Sequence, residues 1–135
     1  MIIKGTATSV SETRNCHGGT GLLTCRELYG DYLRADAGIK FVHDDVIEPG
    51  ASIGEHLHNG DEEFYYILEG TGEMTLDGAP FTVQPGDFCF TQNGHRHSLR
   101  NTGAQPMRFL VVCVNREISA HQPDADHGAD DRGCH

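Results

Sequence analysis

The chain has 135 residues, 20 of them acidic and 10 basic, and a formal net charge of −10. This length suits one domain with one hydrophobic core, and the acidic balance without a basic run excludes nucleic acid and anionic membrane surfaces as expected partners. The longest apolar run, residues 109–114, is too short to span a bilayer, so we expect a soluble, cytoplasmic protein.

The first 38 residues are predicted to form an N-terminal arm that packs on the rest of the chain or on a partner subunit. Within it, residues 24–33 (TCRELYGDYL) allow one or two helical turns before Gly30 interrupts them. The glycine-rich CHGGTG lacks the Lys-Ser or Lys-Thr that follows a phosphate-binding loop. The five cysteines are an odd number without a CxxC pair, which argues against a disulfide framework or a structural zinc site. Cys89 and Cys113 lie inside apolar runs, where a thiol usually behaves as a small buried hydrophobe, so no chemistry is assigned to these two.

Residues 39–116 are predicted to form an all-β domain. Turns with glycine or proline recur about every ten residues, and the segments between them are short and rich in β-branched and aromatic side chains. The predicted strands are 39–47, 52–57, 63–68, 72–76, 81–83, 87–91, 97–101 and 108–114. Asp77-Gly78 is the strongest hairpin sequence, because a type I′ turn needs positive φ at both central residues. The pattern is typical of a β-barrel or sandwich.

Residues 117–135 are predicted to be a disordered acidic tail, because they contain too few apolar side chains to offset the entropy of ordering. The tail includes His121, His127 and His135. We do not expect these histidines to form a metal site, since a flexible tail loses conformational freedom each time it binds.

Residues 56–63 (HLHNGDEE) place two imidazoles and two adjacent glutamates between two predicted strands. Residues two apart on a strand share a face, so His56 and His58 point in one direction as a pair of metal ligands. A turn then returns the chain antiparallel. Either Glu62 or Glu63 faces the same point, but not both, because strand side chains alternate.

A second polar cluster occupies residues 93–101 (NGHRHSLRN), in which His95 and His97 also share a face. A sheet that curls into a barrel brings this segment beside the first cluster. Three imidazoles and one carboxylate then form a nitrogen and oxygen site suited to a divalent first-row metal.

Residues 50–70 resemble the first conserved motif of the cupin superfamily. The motif positions fall on Gly50, His56, His58, Glu63 and Gly70. The spacing to Gly70 selects Glu63 over Glu62 as the inward acid.

The second cupin motif is also present. Its positions fall on Gly86, Gln92, Gly94, His97 and Asn101, which selects His97 over His95. Gln92 stands where the family usually has proline, a change expected to loosen the turn before His97 without removing a ligand. The resemblance covers residues 39–114, which is the whole predicted barrel.

The resemblance implies a small cupin β-barrel, a jelly roll or double-stranded β-helix, holding one divalent ion of Fe, Mn, Ni, Cu or Zn. The implied ligands are His56, His58, Glu63 and His97. The resemblance does not imply a reaction, because one fold hosts many functions. The leading hypothesis is a metal-dependent enzyme acting on a small oxygenated metabolite, by dioxygenase-type cleavage or by isomerase or lyase chemistry, with Glu63 as the candidate catalytic proton acceptor. The alternative is non-enzymatic binding of a sugar or small acid.

Four further residues are candidates for the substrate pocket: His43, Tyr65, Phe81 and Phe109. The aromatic ones are expected to fill the core first, because half of the side chains of a barrel strand point inward. His43 is equally compatible with an inward position against substrate and with exposure at a surface twist. A homodimer is expected, since pairing of barrel edges covers exposed strands.

Overall fold

The computed structural model of the chain describes residues 1–34, 36–116 and 134. In these residues the secondary structure consists of ten β-strands and two short 3₁₀ turns, Gly5–Ala7 and Cys16–Gly18. The strands are β1 (Ser9–Arg14), β2 (Leu22–Gly30), β3 (Ile39–Ile47), β4 (Ser52–Leu57), β5 (Asp61–Glu69), β6 (Gly72–Leu76), β7 (Ala79–Val83), β8 (Phe88–Thr91), β9 (Arg96–Asn101) and β10 (Met107–Asn115). The predicted all-β class is confirmed. The described part of the chain contains no helix with the length and apolar character needed to cross a membrane.

Two antiparallel sheets face each other and enclose the core. The larger sheet has the order β1-β2-β3-β10-β5-β8, and the smaller has the order β4-β9-β6-β7. Alternate side chains of each central strand point inward, as on β3, where the burial pattern switches at every residue. Tyr65, Phe109 and Leu99 are among the fully buried side chains between the sheets. This is the jelly-roll architecture that the resemblance implies, and that prediction is confirmed.

All eight strands predicted between residues 39 and 114 are present, and each end lies within two residues of its predicted position. The hairpin at Asp77-Gly78 is also confirmed, with φ of 48° at Asp77 and 82° at Gly78. Both values lie in the left-handed region that a type I′ turn requires. This hairpin joins β6 to β7 at the edge of the smaller sheet.

The helical turns predicted within residues 24–33 are wrong. Leu22–Gly30 is the strand β2, which pairs with β1 on one side and with β3 on the other. Leu23 and Cys25 alternate with more exposed neighbours, so burial on a sheet overrides the local helix formers in this segment. The predicted arm thus contributes two strands to the larger sheet, while the predicted boundaries between arm, barrel and tail stay predictions.

Cys16 and Cys134 form a disulfide across a sequence separation of 118 residues. The cysteine count, which argues against a disulfide framework, does not predict this bond, because no local spacing pattern marks a pair that only the fold brings together. Cys25, Cys89 and Cys113 are free and buried, as expected of small apolar side chains. The predicted disordered tail, with His121, His127 and His135, lies outside the described residues except for Cys134.

Candidate metal centre

Four buried side chains meet between the two sheets: His56, His58, Glu63 and His97. The Nε2 atom of His97 lies 2.9 Å from Nε2 of His56 and 2.9 Å from Nε2 of His58. Oε1 of Glu63 lies 3.3 Å from Nε2 of His58 and 3.3 Å from Nε2 of His97. The four ligand atoms are all within 4.8 Å of one another, so one cation can contact all of them.

Strand register explains why these four side chains converge. His56 on β4 and His97 on β9 are directly opposite each other in the smaller sheet. Glu63 projects from β5 in the larger sheet, which faces the smaller one across the core. The site therefore needs both sheets, and stretches of chain about 40 residues apart supply its ligands.

Glu63 and His97 belong to the cluster, whereas their neighbours Glu62 and His95 do not, which is the choice that the resemblance implies. Glu62 has the opposite orientation to Glu63 on β5, and its carboxylate contacts the Arg116 guanidinium at 3.4 Å. The side chain of His95 is 52% exposed and contacts Asp77 at 2.6 Å. Neither Glu62 nor His95 belongs to the cluster of four.

Each of the three imidazoles is held through Nδ1, which directs Nε2 into the cluster. Nδ1 of His56 lies 2.8 Å from the carbonyl oxygen of Gly54, and Nδ1 of His58 lies 2.7 Å from Oδ1 of Asp61. Nδ1 of His97 lies 2.7 Å from the hydroxyl of Thr91. Such outer contacts fix the tautomer and the ring orientation of metal-binding histidines.

The loop before His97 is closed even though Gln92 replaces the usual proline. The amide of His95 donates to the carbonyl of Gln92 at 3.1 Å, and the amide of Gly94 donates to the carbonyl of His58 at 2.6 Å. Gly94 has φ of 89°, a conformation that favours glycine. These bonds tie the loop directly to the first histidine segment.

The pKa values of two histidines are shifted strongly in opposite directions. Burial, followed by the neighbouring His97 and His17, lowers the pKa of His56 to about 2. The ring of His17 stacks on that of His56 with 3.8 Å between centroids. Burial also lowers the pKa of His58, but the carboxylates of Glu63 and Asp61 outweigh burial and raise it to about 9.

The donor set fits a divalent first-row ion. Three imidazole nitrogens and one carboxylate oxygen are borderline ligands for such a metal. The oriented Nδ1 contacts match those of known metal-binding histidines. The candidate ligands His56, His58, Glu63 and His97 would hold the ion between the sheets.

We expect metal affinity to increase with pH because the metal must displace a proton from His58. The pKa of His58 is about 9, so its imidazole is protonated in the metal-free protein at neutral pH. Affinity should rise roughly tenfold per pH unit from about pH 7 to about pH 9 and level off above it. Competition with a chelating dye at several pH values measures this, and a flat profile would contradict the assignment of His58 as a ligand.

Thr91→Val is expected to weaken metal binding about 10–100-fold, the usual effect of losing an outer partner of a ligand. The substitution removes the hydroxyl that contacts Nδ1 of His97 and leaves shape and charge nearly unchanged. Thr82→Val, on the exposed side of β7, is the matched control and should leave the affinity unchanged. Equal affinities for the two variants would show that Thr91 does not position His97.

The four predicted pocket residues occupy different environments. Tyr65 is buried, and its hydroxyl lies 3.5 Å from Nε2 of His97, so it borders the metal cluster. Phe109 is buried behind it, with 5.1 Å between the two ring centroids. His43 points into the barrel but contacts Glu27 and Tyr32.

Phe81 is 52% exposed and is not a member of the cluster of four. It lines a cavity of about 290 Å³ beside the edge strands β7 and β8, together with Met74, Leu76, Val83, Asp87, Phe88, Cys89 and Phe90. None of the four candidate metal ligands lines this cavity.

Sequence reasoning missed Asp61, Thr91 and His17 as parts of the site. Asp61 follows His58 by three residues, so its proximity to the first histidine pair was a detectable sign. Thr91 and His17 come from distant segments and carry no sequence pattern of their own. Only the folded structure brings them against His97 and His56.

The known proteins that are similar to this chain indicate one family. The chain matches the family model described as a cupin domain over residues 44–113. It is 33% identical over 119 residues to an oxalate-binding protein of Thermotoga maritima, covering 84% of this chain and 93% of the relative. A crystal structure of a predicted oxalate decarboxylase from Thermotoga maritima matches with a TM-score of 0.78 and 30% identity, covering 86% of this chain and all (100%) of that one. A more partial match is polyketide synthase CurC of Streptomyces cyaneus, 35% identical over 65 residues, with 48% of this chain and 42% of the relative covered.

Proposed function

Because the chain belongs to the cupin family, we propose that it is a metal-dependent enzyme acting on a small oxygen-chelating acid of the oxalate class. The observation that carries this proposal is the convergence of three Nε2 atoms and one Glu63 oxygen within 4.8 Å, each imidazole being oriented by an outer contact. A bound divalent ion would supply Lewis-acid activation of a substrate oxygen and, if redox-active, electron transfer.

The charge of the site favours an anionic substrate. Once an ion has displaced the proton of His58, the three imidazoles are neutral and Glu63 is the only charged member of the set of four, so a divalent ion in this set would keep a net positive charge. Four protein ligands would also leave coordination positions for substrate on an ion that accepts more than four donor atoms. A compact acid that chelates through two oxygens fits both the charge and the open positions.

Tyr65 and Glu63 are the residues placed to handle protons. Burial, followed by the charge of Glu63, raises the pKa of Tyr65 well above its ordinary value, so its hydroxyl stays protonated at neutral pH. That hydroxyl contacts Glu63 and lies 3.5 Å from Nε2 of His97. Tyr65 can therefore donate a hydrogen bond to a substrate oxygen, and Glu63 can accept a proton beside it.

The relatives support the choice of acid. One relative is named for oxalate binding, and a matching crystal structure is described as a predicted oxalate decarboxylase. The first name also favours a second candidate function, the non-enzymatic capture of the same acid. The two candidates share the site and differ only in whether the acid is transformed.

Turnover assays on metal-loaded and chelator-treated protein separate these candidates. We expect oxalate, or another acid from a panel of hydroxy, keto and dicarboxylic acids, to be consumed only by the metal-loaded form. Tyr65→Phe should lower turnover more than it lowers acid binding measured by calorimetry. Metal-dependent binding with full recovery of the acid would support capture instead, and absence of any metal-dependent binding would contradict both.

We also propose a homodimer formed through a barrel edge. The edge strand β8 exposes Phe88 and Phe90, which are 60% and 42% accessible. Burial of such apolar area and of an open strand edge favours self-association.

Light scattering should give the mass of two chains for the natural protein and of one chain for Phe88→Glu, while Leu33→Glu on an exposed loop should not change the mass. A monomeric natural protein would contradict the proposal.

A further inference from the structure

A second group of metal-binding side chains lies on β2 and β3, outside the cluster described above. Cys25, His43 and Asp45 are each at most 2% exposed, and their ligand atoms lie within 4.8 Å of one another. Cys25 and Asp45 are directly opposite each other in the register of the two strands. His43 is two residues from Asp45 and therefore shares its inward face.

This group is separate from the first site. In the larger sheet His43 is opposite Val111 of β10, and Val111 is opposite Tyr65 of β5. Two strand spacings amount to roughly 10 Å between β3 and β5. The two clusters share no residue, and the ring of Phe109, on the intervening strand β10, is buried against the ring of Tyr65 on β5.

The ring of His43 is also held through one of its nitrogens, but through Nε2 and not through Nδ1 as in the first site. Its Nε2 lies 3.1 Å from the hydroxyl of Tyr32 and 3.4 Å from Oε2 of Glu27, and Tyr32 donates to that same carboxylate oxygen at 2.6 Å. The ring of Phe41 stacks on His43 with 4.3 Å between centroids. A carboxylate and a hydroxyl at one ring nitrogen leave the other nitrogen as the ligand, which is the usual arrangement around a metal-binding histidine.

The electrostatics of Cys25 and Asp45 favour a cation between them. Burial, followed by the charge of Asp45, raises the pKa of the Cys25 thiol far above its ordinary value. A divalent ion reverses this effect, because it binds the thiolate and releases the proton. The same ion would be attracted by the charge of the buried Asp45 carboxylate, which is opposite Cys25 in the strand register.

We propose that Cys25, His43 and Asp45 form a second metal site, with sulfur, nitrogen and oxygen ligands, for a borderline-soft divalent ion such as Zn²⁺ or Co²⁺. Three protein ligands of these types are typical of zinc sites that keep one position for water or another small ligand. The thiolate makes this site softer than the cluster of three histidines and Glu63. Glu27 and Tyr32, which are less buried, mark the side from which an ion enters.

Titration of the chelator-treated protein with Co²⁺ tests the proposal, because only a site with a thiolate gives a sulfur-to-cobalt charge-transfer band. The disulfide between Cys16 and Cys134 is kept oxidised during the titration. We expect two equivalents of Co²⁺ and a charge-transfer band in the natural protein. Cys25→Ser should lose the band and one equivalent, whereas His97→Ala should keep the band.

Cys113→Ser is the matched control, because Cys113 is also a free, buried thiol, near His58 and Asp61. It should keep the band. A natural protein without the band, or a band that survives in Cys25→Ser and disappears in Cys113→Ser, would overturn the proposal.

A second measurement needs no substitution in the proposed site. X-ray absorption of zinc-loaded His97→Ala should show one sulfur at about 2.3 Å from the ion. A zinc environment without sulfur would overturn the second site. These results are independent of the proposed function, because they do not involve any substrate or turnover.

Discussion

His97→Ala is expected to abolish stoichiometric binding of Mn²⁺, an ion that prefers oxygen and nitrogen ligands over thiolate. His97 is the central member of the cluster of candidate ligands, since its Nε2 lies 2.9 Å from Nε2 of both other histidines. Loss of an outer partner already lowers metal affinity about 10–100-fold, so loss of a ligand should lower it by more than 100-fold. The electron paramagnetic resonance signal of free Mn²⁺ measures the bound fraction directly.

His95→Ala is the matched control for this substitution. His95 lies two residues before His97, but its side chain is half exposed and contacts Asp77 instead of the cluster. We expect His95→Ala to bind one equivalent of Mn²⁺ with the affinity of the natural protein. Equal loss of binding in both variants would indicate damage to the loop and not the removal of a ligand.

Leu99→Ala is expected to lower the free energy of unfolding by about 2–5 kcal/mol, the usual range for truncating a buried leucine. Leu99 on β9 is 0% exposed and lies between β4 and β6, opposite Ile53 and Met74. The substitution leaves a cavity in the core beside the smaller sheet, which carries two of the candidate metal-binding histidines, His56 and His97. Urea unfolding of the metal-free protein measures the change without a contribution from bound metal.

Leu33→Ala provides the comparison, because Leu33 is 90% exposed. We expect its effect to stay within about 0.5 kcal/mol, as for most surface substitutions. Similar unfolding free energies for Leu99→Ala and Leu33→Ala would contradict the packing of the core described above.

The strands after residue 39 could be predicted from sequence because local physics determines them. Turn sequences such as Asp77-Gly78 need backbone conformations that few residues adopt. A strand with one buried face also shows an alternation of apolar and polar residues in the sequence. β2 could not be predicted in this way. The segment of β2 contains good helix formers. It forms a strand because it pairs with β1 and β3, and the residues of those strands are distant in the sequence.

The members of the cluster of four could be predicted because their spacing reflects strand geometry. His56 and His58 are two apart, and the motif spacing selects Glu63 and His97. The supporting contacts were not predictable in the same way. Thr91 and His17 reach the site only through the pairing of strands and the position of the Cys16–Gly18 turn, neither of which has a local pattern.

The disulfide pairing also could not be predicted from the local sequence. The pairing of Cys16 with Cys134 joins distant segments, and counting cysteines could not identify it. The orientation of His43 was equally open from the sequence, because it depends on the register of β3. The structure places it inward beside Cys25 and Asp45, and this position leads to the second proposed metal site.

The most direct test of the account is the position of the metal in crystals grown with Mn²⁺. An anomalous-difference map should contain a peak within coordinating distance of Nε2 of His56, His58 and His97 and of Oε1 of Glu63. Absence of a peak among these four atoms, in a protein whose fold is intact, would contradict the central claim that they hold a divalent ion.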